Sequence, residues 1–226
     1  MALPKINHPT FETNLPSSGK KITFRPFTGR EQKVLLVAKE SNDTKDTLRA
    51  VAQVITNCCG IDALELPVFD IEYLFLMLRA KSVNNKVQVR IKDEIDGELY
   101  DATVDIDAAK INKATGSNKV EITGSIGMKL KYPTVSSVLA GSADTDEWDV
   151  LAASIDSIWD GEEITTSADM TRPELKEWLI NLPLKTIEPI REFFENRPKI
   201  SISVSYARKD GTEVTRELSG LQDFFE

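Results

Sequence analysis

Histidine and cysteine are nearly absent from this 226-residue chain, which has one histidine, His8, and two adjacent cysteines, Cys58 and Cys59. Nucleophilic and acid–base catalysis often rely on a histidine or cysteine beside a partner group, and few such pairs can form here. A zinc site of the usual kind needs four nitrogen or sulfur ligands, which these residues cannot supply. Adjacent cysteines rarely bond to each other because the disulfide would be strained. We therefore expect free thiols that pack as small apolar residues, and synthesis in a reducing cytosol.

Three further absences exclude other classes of protein. No apolar run approaches the roughly 20 residues of a membrane span, and the N-terminus has no signal-peptide core. The glycine-rich signatures of phosphate-binding and dinucleotide-binding loops are missing. A net charge of −8 repels phosphate backbones, so nucleic acid is not an expected partner. The residues predict no enzyme, no cofactor and no metal.

Acidic residues are concentrated in one part of a chain that is otherwise of ordinary globular composition, with 41% apolar and 28% charged residues. Residues 133–171 contain nine Asp or Glu and no Lys or Arg. The spacing and central glycine of a calcium loop are missing. The acidic face around 141–163 is either a solvated surface or a surface that attracts a basic partner. Its candidate partner contacts are Asp144, Asp146 and Glu147.

The first 85 residues predict a β-hairpin followed by three helices. Strands at 11–15 and 21–27 flank a turn that contains glycine. The helices are expected at 30–39, at 45–59 with Gly60 ending the helix, and from Asp70, the expected N-cap. The third is apolar on nearly every face at 71–78, which indicates a core or an oligomer interface. The candidate partner contacts in this block are Phe27, Tyr73 and Phe75.

Alternating apolar residues predict strands in the middle of the chain. They occur at 87–91 and 103–107 around the Asp96-Gly97 turn, and at 120–122 and 128–132 around a glycine-containing turn. We expect about four strands in one small sheet.

Helices are predicted again after Pro133. A stripe of apolar residues from Trp148 to Trp159 predicts one helix. Thr171 and Glu174 form the sequence pattern of a capping box, with proline in the first turn of the helix. Thr186 is the expected cap of a third helix.

The chain is predicted to close with a β-hairpin, in which a strand at 199–206 turns at Asp210-Gly211 into a strand at 212–216. A short helical turn over 219–225 would then follow, and its aromatic residues would either fold back onto the chain as an anchor or dock on a partner. The candidate partner contacts there are Leu221, Phe224 and Phe225.

Together these elements predict an α+β fold, a helical bundle with small inserted antiparallel sheets and a C-terminal β-hairpin. The expected segments are the hairpin and three helices at 1–85, a β-rich insertion at 86–132, and a helical segment with the closing hairpin at 133–226. The last segment could form one compact unit with the first.

Three blocks of sequence resemble a known family. They are Leu15–Phe27 with Glu31–Ser41, then Phe69–Val83, and the ending Glu217–Phe225. In this order and spacing they resemble the baseplate hub proteins of T-even-type contractile-tailed phages, which include a hub subunit and a hub assembly catalyst. The resemblance implies a late, non-enzymatic phage protein that builds the hub of the tail baseplate.

The resemblance also raises the question of metal. Some members carry Cys-x-x-Cys pairs in two β-hairpins, which suggests a zinc ribbon. The corresponding turns here, residues 92–97 and 207–211, contain no cysteine. We therefore expect these hairpins to be held by packing alone.

The leading hypothesis is a baseplate hub component or hub-assembly factor that binds other tail proteins, namely the hub, central spike or tape-measure protein. It would bind through the N-terminal helical block, the acidic face and the C-terminal aromatic residues, in the host cytoplasm during assembly and in the virion tail if retained. The alternatives are a transient tail-assembly chaperone absent from the mature virion, and a hydrolase that uses clustered carboxylates. Homo-oligomerisation is left open.

Overall fold

The computed structural model describes residues 6–41, 43–112, 114–142 and 145–218. Helices and small antiparallel sheets share these residues, which confirms the predicted α+β class. Within the described ranges, no helix combines the length and apolar content that a bilayer crossing requires. In chain order the elements are β1 (Phe11–Asn14), β2 (Lys21–Phe24), α1 (Gly29–Ser41), α2 (Thr44–Cys59), α3 (Val68–Ser82), β3 (Lys86–Lys92), β4 (Leu99–Asp105), β5 (Lys110–Asn112), β6 (Lys119–Glu121), β7 (Ile126–Leu130), α4 (Val135–Ala140), α5 (Glu147–Ala153), β8 (Ile155–Asp160), β9 (Glu163–Thr166), α6 (Arg172–Ile180), α7 (Leu184–Glu195), β10 (Lys199–Ala207) and β11 (Glu213–Leu218).

The chain divides into two compact units. Unit 1 takes in residues up to 112 and from 198 onwards, and unit 2 is the continuous segment 113–197. The sequence predicted segments at 1–85, 86–132 and 133–226. Whether those segments fold independently stays a prediction.

The N-terminal hairpin of unit 1 is confirmed. Strands β1 and β2 are antiparallel, with Phe11 opposite Phe24. Ile22 and Phe24 are buried on one face, and the N–H of Arg25 donates to the carbonyl of Cys58 at the end of α2 (3.1 Å). This bond ties the hairpin to the helix.

The three predicted helices are present, but the third begins earlier than expected. Helix α2 starts at the N-cap Asp43 and ends at Gly60, whose φ of +66° is favoured by glycine. Helix α3 starts at Val68, directly after Pro67. The prediction that Asp70 is its N-cap is wrong, because Asp70 lies inside the first turn. Its buried carboxylate instead accepts hydrogen bonds from the N–H and hydroxyl of Ser17.

Two β-hairpins build the second half of unit 1. Strands β3 and β4 form a two-stranded sheet, and β10 pairs with β11 on one side and with β5 on the other. Alternate side chains of the hairpins pack together with Leu76 of α3 in one buried cluster. The expected single sheet of about four strands is therefore wrong. Alternation indicates which face of a strand is buried, but not which strands become neighbours.

Unit 2 contains a four-stranded sheet in the order β6-β7-β8-β9. The core combines Met128 and Leu130 of β7 and Ile155 of β8 with Leu175 and Leu179 of α6. The predicted helix from Trp148 to Trp159 is wrong in its second half, since α5 ends at Ala153 and residues 155–160 form β8. Pairing with β7 and β9 satisfies the backbone of this segment on both sides.

The capping box at the start of α6 is confirmed. Both Thr171 and Glu174 make the reciprocal backbone contacts, and the N–H of Thr171 donates to Glu174 Oε2 (2.7 Å). The prediction that Thr186 caps the next helix is wrong, because α7 starts at Leu184 after Pro183 and buries Thr186 in its first turn.

The closing hairpin of β10 and β11 is confirmed, with Tyr206 opposite Val214. The helical turn predicted over 219–225 lies outside the described residues.

Candidate protein-binding surfaces

A buried carboxylate joins the turns of the two hairpins of unit 1. Asp93 begins the β3–β4 turn and is 1% exposed. It accepts hydrogen bonds from the Tyr206 hydroxyl (2.7 Å) and from Nε of Arg208 (2.8 Å), both on the other hairpin. The N–H of Ile95 donates to the same carboxylate (2.8 Å). A buried carboxylate with a cationic partner and several hydrogen-bond donors avoids the free-energy cost of an unpaired buried charge.

Aromatic and charged contacts surround Asp93. The rings of Tyr100 and Tyr206 stack with centroids 5.2 Å apart, and Arg216 donates to the carbonyl of Lys92 (3.0 Å). Lys209 pairs with Glu98 (2.9 Å). We call Asp93, Tyr206 and Arg208 the hairpin clamp. The expectation that packing alone holds these hairpins is therefore wrong, because an ion pair and hydrogen bonds join them as well.

The ionisation of the hairpin clamp follows from these contacts. The hydrogen bonds from Arg208 and then Tyr206 hold the pKa of Asp93 well below its usual range, against the opposing effect of desolvation. The hydrogen bond to Asp93 raises the pKa of Tyr206. Asp93 is therefore a carboxylate, and Tyr206 a neutral donor, at neutral pH.

A second buried carboxylate lies in the N-terminal block. Glu31 of α1 is 2% exposed and pairs with Arg25 (2.9 Å). It also accepts hydrogen bonds from the N–H (2.8 Å) and hydroxyl (2.6 Å) of Thr28. Burial alone would raise the pKa of Glu31, but the bonds from Arg25 and Thr28 outweigh burial and lower it to about 2.

The structure leaves two of the predicted partner contacts of this block half-buried and places the third in the core. Phe27 is half-buried, and its N–H donates to Ser82 Oγ (2.9 Å). Tyr73 is half-buried with its hydroxyl 2.6 Å from that of Thr13. Phe75 is 1% exposed and belongs to the core. As partner contacts these three residues stay a prediction.

Helix α1 exposes apolar residues that the sequence reasoning did not single out. Leu36 is 55% and Val37 59% exposed. The run Leu35-Leu36-Val37 could have indicated this exposure, because three consecutive residues of a helix cannot all face the same core.

The acidic face is partly neutralised within unit 2. Asp146 caps α5 and pairs with Lys176 (2.9 Å), which also pairs with Asp149 (3.0 Å). Glu147 pairs with Arg191 (3.7 Å). The predicted contacts Asp144, Leu221, Phe224 and Phe225 lie outside the described residues.

The thiols of the chain are free. Cys58 is buried and Cys59 half-buried, and burial raises the pKa of Cys58 to about 11 and that of Cys59 to about 12. The thiols are therefore protonated at neutral pH and pack as apolar groups. Within the described residues, no three His, Cys, Asp or Glu side chains are grouped as a metal site would require.

A family model described as T4 bacteriophage base plate protein matches residues 8–226. The chain belongs to this family. The match includes both compact units, so the whole architecture is that of a phage baseplate protein. No curated protein and no solved structure matches the baseplate protein.

Membership of the baseplate family implies contacts with other phage tail proteins. A baseplate protein has a structural role in the virion tail, where it contacts other tail proteins. The exposed apolar residues of α1 and the acidic residues of unit 2 lie on the surface of the described part of the chain.

Proposed function

We propose that this baseplate protein is a component of the baseplate hub or a factor in its assembly, and that it acts by binding other tail proteins. The observation that carries the proposal is the family match over residues 8–226. The three blocks that resemble hub proteins, at 15–27 with 31–41, at 69–83 and at 217–225, support it. Its partners are the hub, central spike or tape-measure proteins of the same phage.

The exposed residues of α1 support binding through the N-terminal block. Leu36 and Val37 are neighbours on a helix whose inner face packs on α2. Exposed apolar residues next to each other are candidate anchors for a protein interface. In the assembled hub, burial of the remaining exposed area of these two side chains would contribute about 1–1.5 kcal/mol each.

Co-purification from cells that express the phage tail proteins tests this proposal. We expect the tagged chain to retain at least one of the hub, central spike and tape-measure proteins. Leu36→Glu with Val37→Glu should lower that retention. Leu184→Glu is the matched control, because Leu184 is also an exposed apolar residue, at 87%, but lies in unit 2.

Retention of none of these tail proteins by the unaltered chain would contradict binding as the mode of action. Equal retention by the α1 variant and the control would remove α1 from the proposal. The alternative, a chaperone that leaves before the virion matures, predicts the same co-purification and differs in the composition of the finished particle.

A further inference from the structure

Among the described residues, strand β3 of unit 1 pairs on one side only. In the β3–β4 ladder, the N–H of Asp93 donates to Glu98 (2.9 Å) and the N–H of Ile106 donates to Asn85 (2.7 Å). Antiparallel pairs alternate between hydrogen-bonded and non-bonded residues. With residues 85 and 93 bonded towards β4, the N–H and C=O groups of Gln88 and Arg90 point to the opposite edge of β3. Among the described residues, no strand pairs with that edge.

Backbone groups at both ends of this edge of β3 already have hydrogen-bond partners, so within the described chain only the central backbone groups are open. The N–H of Lys86 donates to the side chain of Asn84 (3.2 Å). The carbonyl of Lys92 accepts from Arg216 (3.0 Å). The backbone of Gln88 and Arg90 between them has no recorded partner in the described part of the chain.

A groove lies on the outward face of the hairpin, across both of its strands. It has a volume of about 380 Å³ and is lined by Gln88, Val89, Arg90, Leu99 and Asp101. Leu99 of β4 is 60% exposed and lies opposite Lys92, so the groove offers an apolar contact on the outward face of the hairpin.

Three of the four exposed side chains of β3 are basic, and the fourth is Gln88. Lys86, Arg90 and Lys92 all lie on the outward face, and within the described ranges none of them is in an ion pair. On the β4 side, Asp105 lies opposite Lys86 and Asp101 opposite Arg90, whereas Lys92 lies opposite the apolar Leu99. A strand added to this edge would place its own side chains beside these basic residues. Opposite charges across neighbouring strands stabilise pairing and like charges oppose it.

We infer that the open edge of β3 is a docking site for an extended acidic segment of another baseplate protein, which adds to the hairpin as a third strand. Main-chain hydrogen bonds to Gln88 and Arg90 supply affinity, and acidic side chains opposite Arg90 and its neighbouring lysines supply specificity. This inference rests on the proposed function and names the chemistry of the partner.

The basic residues of β3 could instead protect the strand edge from pairing. Basic residues on an edge strand also prevent unwanted strand pairing between copies of a protein. In that case the edge of β3 binds neither an acidic nor a basic strand. Binding of a separate peptide therefore distinguishes a docking edge from a protected one.

The first experiment uses the full chain and two fluorescein-labelled, end-capped peptides of seven residues. Glutamate alternates with valine in one peptide, and lysine alternates with valine in the other. We expect the acidic peptide to raise its fluorescence anisotropy on titration with the protein, and the lysine peptide to show no change. Absence of binding by the acidic peptide, or equal binding by both peptides, overturns the inference.

Protein variants locate the site. Arg90→Glu combined with Lys92→Glu should weaken binding of the acidic peptide at least about tenfold, because two attractive cross-strand contacts become repulsive. Lys199→Glu is the matched control, since Lys199 is an exposed strand lysine of the same unit, and should change the affinity by less than about twofold. Unchanged affinity in the double variant overturns the inference.

A modified peptide separates strand addition from simple charge attraction. The acidic peptide is N-methylated at every second amide, in both possible registers, which removes main-chain donors and keeps the charge. We expect at least one register to lose measurable binding. If both bind as well as the parent, the contact is electrostatic only and strand addition is wrong.

Self-association is the remaining outcome to be measured. Sedimentation of the unaltered chain and of the Arg90→Glu, Lys92→Glu variant shows whether β3 binds a second copy of this chain. A loss of self-association in the variant would make a second copy the occupant and overturn a different baseplate protein as partner. Failure of the peptide tests while tail proteins still co-purify would contradict the docking site and leave the proposed function intact. Peptide binding without any co-purifying tail protein would contradict the proposed function.

Discussion

At the residue scale, two buried carboxylates tie together different parts of unit 1. Glu31 joins α1 to the segment that follows β2, through Arg25 and Thr28. Asp93 joins two hairpins whose turns are more than 100 residues apart in sequence. Each carboxylate is satisfied by a cation and by further donors, so removal of its charge leaves buried groups without partners.

Glu31→Gln should destabilise the protein by about 3 kcal/mol at pH 7, since the pKa of Glu31 is lowered to about 2 from an ordinary value near 4.3. Chemical denaturation measures the change. Glu12→Gln is the control, because the Glu12 carboxylate is 57% exposed in its pair with Lys21 and should contribute less than about 1 kcal/mol. Equal losses in the two variants would contradict the assigned role of Glu31.

The same carboxylate predicts a dependence on pH. A carboxyl group whose pKa is lowered by folding stabilises the folded state above its unfolded pKa, and this contribution is lost as the pH falls towards the folded pKa. The contribution of Glu31 should therefore be complete above about pH 4.3 and decline between about 4.3 and 2. In urea denaturation across this window, Glu31→Gln should show a shallower decline than the unaltered chain. Parallel declines would contradict this account.

Asp93→Asn should lower the midpoint of thermal unfolding and raise amide hydrogen exchange in the turns at 93–98 and 207–212. The reason is that Arg208, whose side chain is 18% exposed, loses its anionic partner. Glu94→Gln is the control, since Glu94 is 83% exposed and lies 3.4 Å from Arg216. The hairpin clamp is contradicted if exchange increases in only one of the two turns or in neither.

At the element scale, sequence patterns located most helices and strands. The hairpin at 11–24, the helix ending at Gly60 and the capping box at Thr171 could be predicted because their signals are local. The predicted helix from 148 to 159 failed because its apolar spacing also suits a short helix followed by a strand. The pairing of β10 with β5 and the contacts of the hairpin clamp join residues that are far apart in the chain. Such long-range contacts could not be predicted from local sequence patterns.

The sheet of unit 2 contains a close contact that sequence alone would not reveal. Gly127 of β7 lies opposite Trp159 of β8, and a Cβ atom at Gly127 would overlap the indole ring. Gly127→Ala should therefore destabilise unit 2 by about 1–3 kcal/mol in chemical denaturation. Gly124→Ala is the control, because a Cβ there meets open space. Addition of Trp159→Ala should remove much of the effect of Gly127→Ala, and strictly additive losses would contradict the contact.

At the scale of the whole molecule, unit 2 is one continuous stretch of chain with its own buried cluster. A fragment of residues 113–197 should therefore unfold cooperatively when it is heated or denatured. A fragment of residues 133–226 lacks β6 and β7, which supply Val120, Met128 and Leu130 to that cluster, and should show no cooperative transition. The reverse result would contradict the division into these two units and favour the segments predicted from the sequence.

As a baseplate protein, the chain should be a working part of the phage tail that binds its neighbours in the baseplate. Quantitative mass spectrometry of purified particles and of baseplates isolated from them tests this most directly. We predict that the chain is present in both, in a fixed ratio to other baseplate proteins. Its absence from both, together with its presence in infected cells, would contradict a retained hub component and favour a chaperone that leaves before the virion matures.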